Sequence, residues 1–477
     1  MTTSLEAISQ AWDLAGLPAG TLQQLQLTGA EPALPSSFAI GTAAQAGISL
    51  AALAALHYWQ LRSGARQEVA VDMRHAAIEC RSDHYFAIDG RPVEFSDPLT
   101  GLYRCGDGGW VRIHANFAHH REGALALLGC AATRGSITAA LGDHSAVGFE
   151  EQAAAAGLPV VAMRSFQQWD DHPQGRAVAK LPLLSISRIG ESPACWTRAA
   201  AGDSSAAPAY GRASPKTLLA GVSVLELTRI LAGPVCGRTL AAYGADVLLV
   251  NSPRLPNIDA IADTSRGKLS ALIDLKDEAG AATMHRLLDS ADVFLQGYRP
   301  GAIDDLGFGP EELAGRYPGL VYASLSAYGP QGPWRQRRGF DSLVQTAGGF
   351  NLAEAQAAGS DVPKPLPTQI LDHASGYLLA FGINAALARR AGEGGSWYVQ
   401  VSLAQTAHWL RALGRISGGL SIANPGRADV ADLLGTGASG FGELTAVRHA
   451  ARFSKTPAAW RRPSVPIGTH PAAWSSN

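Results

Sequence analysis

From Val222 onward the chain alternates short apolar runs with helical ones, at a spacing that few folds accept. Val222–Leu227 reads as a strand and Thr228–Gly233 as a loop. Pro234 sits where a first helical turn favours proline, and the helix runs to Tyr243. Gly244 ends it, and Ala245–Val250 is the next strand. A helix over Ala279–Ser290, a strand over Asp292–Gln296, a helix over Pro310–Arg316 and a strand over Leu320–Ser326 follow. Strands joined by helices of this length pair in parallel, so the spacing predicts a doubly wound, Rossmann-like α/β sheet. No GxGxxG motif follows the first strand, which weakens a dinucleotide reading. The helix N-terminus there still favours a phosphate.

Upstream, residues 81–195 read as a smaller α/β unit. It holds strands at Trp110–His114 and Pro159–Met163, helices at Arg121–Leu128 and Phe149–Ala156, and a helix start at Phe166–Asp170. Residues 197–214 are small and polar with Gly and Pro, the composition of a linker. The expected organisation is a first module over 1–196, a linker over 197–215 and a second module over 216–477. At 477 residues, two or three domains are expected.

Bulk composition excludes several classes. A net charge of -1 with 17% charged residues leaves no electrostatic footprint for nucleic acid. Five scattered cysteines with no CxxC pair predict neither a disulfide framework nor a zinc site, and fit a reducing cytoplasm. His119-His120 beside His114 lack an acidic or cysteine partner at ligand spacing, so a solvated loop is expected there rather than a metal site. The opening Met1–Glu6 has no basic region leading into an apolar core, so no secretory signal is expected. Pro32–Leu61 carries no charge, but its run from Thr42 is Ala-rich with Gln45, Ser49, His57 and Gln60. It reads as a buried helix and not a membrane span.

An internal repeat adds a second constraint. Thr42–Met73, a helix, a turn and the strand VAVDM, resembles Asp372–Leu403, a helix, a Gly-rich turn and the strand VQVSL. Helices then start at His75-Ala76-Ala77 and Gln405-Thr406-Ala407. Where the second copy has Asp372, the first has Gly41 or Thr42. A carboxylate at the mouth of a buried helix pays desolvation. Either Asp372 is an N-cap accepting first-turn N–H groups, or it is a nucleophile.

Four stretches carry a resemblance to a known family. They are Leu219–Pro234 (LAGVSVLELTRILAGP) with Tyr243–Val247; Arg266–Ser270 (RGKLS) with Ile273–Lys276; Ala291–Gly301 (ADVFLQGYRPG); and Ser324–Pro333 (SLSAYGPQGP) followed by Gly339-Phe340-Asp341. Together these resemble the class III CoA-transferases of the CaiB/BaiF type, the group of formyl-CoA transferase, carnitine CoA-transferase and the α-methylacyl-CoA racemases. The match covers about residues 217–410. The N-terminal half resembles the latter part of the same family, so the chain reads as two partial family modules fused. The front piece would supply the small domain that the back piece lacks.

The resemblance implies that Asp372 is a nucleophile that takes CoA from an acyl-CoA and passes it to a small carboxylic acid through an aspartyl-CoA thioester. By position it implies a CoA site at Ile230, Leu231, Ala232, Ile273, Lys276, Gly297, Tyr298 and Arg338. CoA and acyl-CoA are then substrates; no resident cofactor is expected. Ser252 stands where family members often place an Arg for the nucleotide, and Asn251 replaces a usual Glu. Racemases of the family carry a histidine at the position of Phe340, which cannot move protons, so racemisation is the enzyme alternative and a non-catalytic CoA-ester-binding paralogue the other. His373 adjoins Asp372 but should point away from it. A cytoplasmic homodimer is the expected assembly, since the family forms interlocked dimers.

Overall fold

The structure is a computed structural model describing residues 2–94, 96–198 and 215–475. Seven strands build its main sheet: β1 (Leu184–Gly190), β2 (Ser223–Leu227), β3 (Asp246–Asn251), β4 (Leu269–Leu272), β5 (Val293–Gln296), β6 (Val321–Ser326) and β7 (Ser396–Ser402). Their spatial order is β4-β3-β2-β5-β6-β7-β1. All neighbours are parallel except β1, which pairs antiparallel with β7 at one edge. Counted from β2, the parallel strands run 3-2-1-4-5-6, the doubly wound order, with its switch point between β2 and β5. The strands are unbroken apolar runs because both faces are covered; Val224, Leu225, Val293 and Phe294 are all fully buried.

β1 was not legible in the alternating pattern. Its sequence LSISRIG is half-exposed, as an edge strand is, and its partner lies some two hundred residues on. It precedes the expected linker, so the front half of the chain contributes a strand to the main sheet. The expected linker over 197–215 falls, apart from Thr197, Arg198 and Pro215, outside the described residues.

Four helices matter for the site: α1 (Ile40–Ser63), α2 (Ala232–Ala242), α3 (Asp341–Ala347) and α4 (Ile370–Glu393). α1 and α4 lie against each other at the centre. Asn384 Nδ2 donates to the Ala51 carbonyl at 3.2 Å, and a Cβ added at Gly47 would sit 3.4 Å from Cβ of Tyr377. Both are apolar on nearly every side because both are enclosed. α1 is long and apolar enough to cross a membrane, and its apolar window is wholly buried in protein.

The smaller unit is an antiparallel sheet of Gly101–Arg104, Trp110–Ile113 and Val160–Ala162. Its helices include Ala118–Leu128 and Ala146–Ala155. The latter begins a turn earlier than its apolar pattern suggests, because Ser145 caps it by accepting from the Gly148 amide at 3.2 Å. Strand alternation sends Val111 and Ile113 into this unit's own core with Phe149. Arg112 and His114 are left on the opposite face, which rests on α3. The C-terminal segment ties back to the front half: Ala451–Phe453 pairs with Val69–Asp72, and the strand Gly442–Val447 pairs with Ala87–Ile88.

Candidate active site

Asp372 is the third residue of α4, whose N-cap is Gln369. The N-cap reading of Asp372 is therefore corrected. The capping carboxylate comes from α3: Asp341 Oδ2 accepts from the Asp372 amide at 3.0 Å, and the Leu371 amide donates to the same side chain. Gln345 Nε2 holds Asp341 Oδ1 at 2.5 Å. Asp341 thus spends its lone pairs on the free N–H groups of α4.

The carboxyl of Asp372 is different. No described residue donates a hydrogen bond to either of its oxygens, and 9% of the residue stays exposed. Burial pushes its pKa well above the usual carboxylate range, and the nearby Asp341 and Asp83 carboxylates push the same way. Burial also raises Asp341, to about 7, against the pull of its hydrogen bonds and of Arg112. Two carboxyls this close do not both ionise at neutral pH. Three donors favour the charge on Asp341, whereas burial and both neighbouring carboxylates disfavour it on Asp372.

His373 faces elsewhere. It is fully buried with Nε2 3.5 Å from Asp83 Oδ1. The adjoining Ser82 donates to Asp263 at 2.8 Å, and Asp263 also pairs with Arg238 and Arg266. His373 is thus part of an enclosed polar network behind the helix.

The positions named for CoA fall into groups. Ile273, Lys276 and Tyr298 line one cavity of about 190 Å³, with Asn251, Ser252 and Arg254. It lies at the carboxyl ends of β2 to β5, where doubly wound sheets hold ligands. Arg254 is ion-paired to Asp274 on its rim, so a guanidinium does stand near the position where Ser252 lacks one. Asn251 points back into the fold, its Nδ2 3.3 Å from the Thr228 carbonyl.

Ile230, Leu231 and Ala232 lie outside this cavity, at the entry to α2. Ile230 has φ +75°, a left-handed backbone that costs a β-branched residue about 1–3 kcal/mol. The elbow brings α2 onto α4: a Cβ added at Gly376 would meet the Ala232 carbonyl oxygen at 2.5 Å. The loop is therefore one helical turn from Asp372. Gly297 sits beside Thr228: a Cβ added there would lie 3.5 Å from the threonine methyl. Arg338 is exposed, and its charge is felt by His119 and His120.

The histidine loop is not solvated, which corrects that expectation. His114 and His120 are 7% and 3% exposed. His114 stacks on Phe340 with centroids 3.8 Å apart, and His120 meets the same ring edge-on at 6.2 Å. Only His119 of the three reaches solvent. The described residues hold no group of three or more His, Cys, Asp or Glu able to bind a metal. Burial drives both imidazoles down to about 3, Arg112 adding to the effect at His114 and His119 at His120. Asp341, Arg112, Asp83 and Arg254 were not singled out from the sequence. Asp341 stands in a quoted motif, and the alternation of Trp110–His114 already put Arg112 and His114 on one face.

Residues 219–416 match the model of CoA-transferase family III. That stretch holds β2 to β7, α2 and the Asp341–Asp372 pair, and it is similar to the CoA-transferase family III module. The chain is 37% identical over 213 residues to the probable fatty acyl-CoA transferase Rv3272 of Mycobacterium tuberculosis, covering 42% of this chain and 54% of that protein. It is 30% identical over 206 residues to (R)-2-hydroxy-4-methylpentanoate CoA-transferase of Clostridioides difficile, covering 40% and 51%. A crystal structure of a mutant Rv3272 aligns over 55% of this chain and 100% of that one, at 25% identity and a TM-score of 0.49. The chain spans about half the length of the curated relatives it matches.

Proposed function

We propose that this protein moves coenzyme A from an acyl-CoA to a carboxylic acid, with Asp372 as the covalent carrier. The observation that carries the reading is the Asp372 carboxyl: enclosed, free of hydrogen bonds from described residues, and one turn from the Ile230–Ala232 elbow. A poorly solvated carboxylate is a stronger nucleophile, and only an acyl group can hold CoA as a thioester.

In the first step Asp372, in its ionised form after releasing its proton to solvent, attacks the thioester carbonyl through one oxygen, and the CoA thiolate leaves to give a mixed anhydride. The thiolate then attacks the Asp372 carbonyl, releasing the donor acid as a carboxylate and leaving an aspartyl-CoA thioester. The acceptor carboxylate attacks that thioester and expels the thiolate again. The thiolate finally attacks the acceptor's carbonyl, which frees Asp372 and gives the new acyl-CoA. The amides of Ala232 and Gly233, neither bonded by a described residue, are the candidate donors for the tetrahedral oxyanions. Ile273, Lys276 and Tyr298 would hold the nucleotide end, Ile230, Leu231, Ala232 and Gly297 the thiol arm, and Arg338 a phosphate.

Transfer is favoured over racemisation by two side chains. Phe340 has no proton to move, and an imidazolium as acidic as that of His114 leaves its imidazole too weak a base to take an α-proton. The test is the intact mass of the protein after exposure to a panel of acyl-CoAs, with hydroxylamine or borohydride trapping. A CoA-sized adduct present in wild type and missing from Asp372→Ala is the expected result. No adduct with any donor overturns the proposal. Assembly as a cytoplasmic homodimer belongs to the same proposal, and light scattering reads the dimer directly.

A further inference from the structure

We propose that Arg112, His114 and His120 form the subsite that receives the substrate acid, and that the acid it selects carries a second carboxylate. The proposal rests on the transferase reading of Asp372. It names which acids that site takes.

The observation behind it is a set of buried polar atoms with nothing to bond. Nε and Nη1 of Arg112, Nδ1 of His114, and both ring nitrogens of His120 are shut off from solvent and have no hydrogen-bond partner. Such groups cost folding free energy, and native structures rarely keep them without a reason. Both imidazoles touch Phe340, the residue before Asp341, and Arg112 lies close enough to His114 and to Asp341 for their charges to interact. Asp341 in turn holds the amide of Asp372. The cluster is therefore linked to the candidate nucleophile through Phe340 and Asp341.

Arg112 stands apart from the other enclosed arginines. Arg164, Arg238, Arg266 and Arg390 each pair with a carboxylate. Arg112 has no carboxylate within 4.0 Å among the described residues, although it and Asp341 feel each other's charge. Asp341 has its own donors and is not spent on Arg112. A buried cation without a counter-ion is costly, and an anionic ligand supplies what is missing.

The two imidazoles are neutral at pH 7, so each offers one N–H and one lone pair without adding charge. The cluster then has one fixed positive charge and several neutral hydrogen-bonding groups. An acid whose reacting carboxylate lies at Asp372 would present a second carboxylate to Arg112. A plain monocarboxylic acid would put an alkyl end against the unpaired guanidinium.

Succinate, glutarate and adipate should be compared with butyrate, pentanoate and hexanoate as CoA acceptors, in wild type, Arg112→Met and Arg112→Lys. In wild type kcat/KM should favour one dicarboxylate over its monocarboxylate match by about 10- to 100-fold, the range of one charge-assisted hydrogen bond. The difference should lie in KM. Arg112→Met should collapse that ratio towards one, and Arg112→Lys should keep part of it. Arg112→Gln replaces the methionine variant if that one fails to fold, with the same expectation. An unchanged ratio in the variant, or no dicarboxylate preference in wild type, overturns the subsite. Calorimetric titration of the CoA-loaded protein with the preferred dicarboxylate separates the two readings. Binding shared by wild type and Asp372→Asn but lost in Arg112→Met keeps the subsite even if no acid accepts CoA, in which case only the transferase reading falls. Wild type that neither binds nor uses any dicarboxylate overturns it.

Discussion

The two copies of the internal repeat share a backbone and differ in chemistry. α1 and α4 are both 24 residues long and pack against each other. Their N-cap residues have the same unusual conformation, φ -76°, ψ 63° at Ala39 and φ -75°, ψ 55° at Gln369. In each, an acidic side chain from outside the helix accepts the third amide: Glu31 Oε1 takes Thr42 N at 2.6 Å, and Asp341 Oδ2 takes Asp372 N at 3.0 Å. Both helices end at a glycine with positive φ, Gly64 at 68° and Gly394 at 70°. Both following strands end on a capping side chain, Asp72 to the His75 amide and Ser402 to the Gln405 amide. Yet β7 joins the seven-stranded sheet, while Val69–Asp72 sits in a three-stranded one. The comparison teaches that the buried helix and its acidic cap are scaffold. The proposed chemistry requires in addition a carboxylate at the third position and the switch point of a doubly wound sheet beside it.

The largest expected effect breaks that comparison at its one chemical difference. Asp372→Asn should lower kcat by about 10⁴-fold or more, because the covalent carrier is gone. Adding Thr42→Asp to that variant restores the lost carboxyl in the other copy. It should recover neither turnover nor a CoA adduct, since residue 42 belongs to the copy whose strand lies outside the seven-stranded sheet. Turnover regained in the double variant would mean that the scaffold alone suffices.

Asp341→Asn comes next, at about 10²-fold in kcat, and it separates capping from charge. The amide oxygen of Asn can still accept from the α4 amides, but the negative charge beside Asp372 disappears. Asp372 then ionises more readily, so the rising limb of the pH–rate profile should move to lower pH. A limb that stays in place would show that Asp341 acts by hydrogen bonding alone.

How far this was legible in the sequence depends on how far apart the interacting residues lie. The parallel strands were readable because enclosure on both faces makes each one an apolar run bounded by Gly or Pro. The repeat was readable because Thr42 and Asp372, Gly64 and Gly394, and Asp72 and Ser402 all keep the same separation. β1 was hidden because an edge strand is half polar and its partner β7 is remote. The burial of His114 and His120 was hidden because Phe340, which covers them, comes more than two hundred residues later. The cap on α4 was hidden because it is supplied from another helix, and no local pattern marks an acid that satisfies amides thirty residues away.

Gly376 sharpens the comparison on packing. Its counterpart in α1 is Ala46, which keeps a Cβ although it is fully buried. At Gly376 an added Cβ would meet the backbone oxygen of Ala232 at 2.5 Å, and backbone does not yield as a flexible side chain does. Gly376→Ala should cost about 1–3 kcal/mol of stability by this overpacking. It should also raise KM for the acyl-CoA several-fold by pushing the Ile230–Ala232 elbow outward. Ala46→Gly, the reverse exchange, should cost only about 1 kcal/mol through helix propensity and leave KM alone. Equal KM effects from the two would mean that the elbow is not a binding element.

The smallest effect concerns stability against pH, and its sign follows from the direction of the shifts. Asp341 in the folded protein is raised to about 7 and Asp372 is raised well above its ordinary value, while both return to about 4 when the chain unfolds. Between those values the folded state binds more protons than the unfolded one. Stability therefore falls as pH rises from about 4 through 7, and below about 4 the pair contributes nothing. Asp372→Asn removes the costlier of the two carboxyls. It should melt at a higher temperature than wild type at pH 8, by a gain on the order of 1–3 kcal/mol. The gain should shrink to nothing at pH 4. Thr42→Asp should do the reverse, losing stability at pH 8 by burying a carboxyl next to Glu31. Melting curves of both variants at the two pH values measure this, and a pH-independent gain for Asp372→Asn would show that packing, not the carboxyl pair, sets the cost at this position.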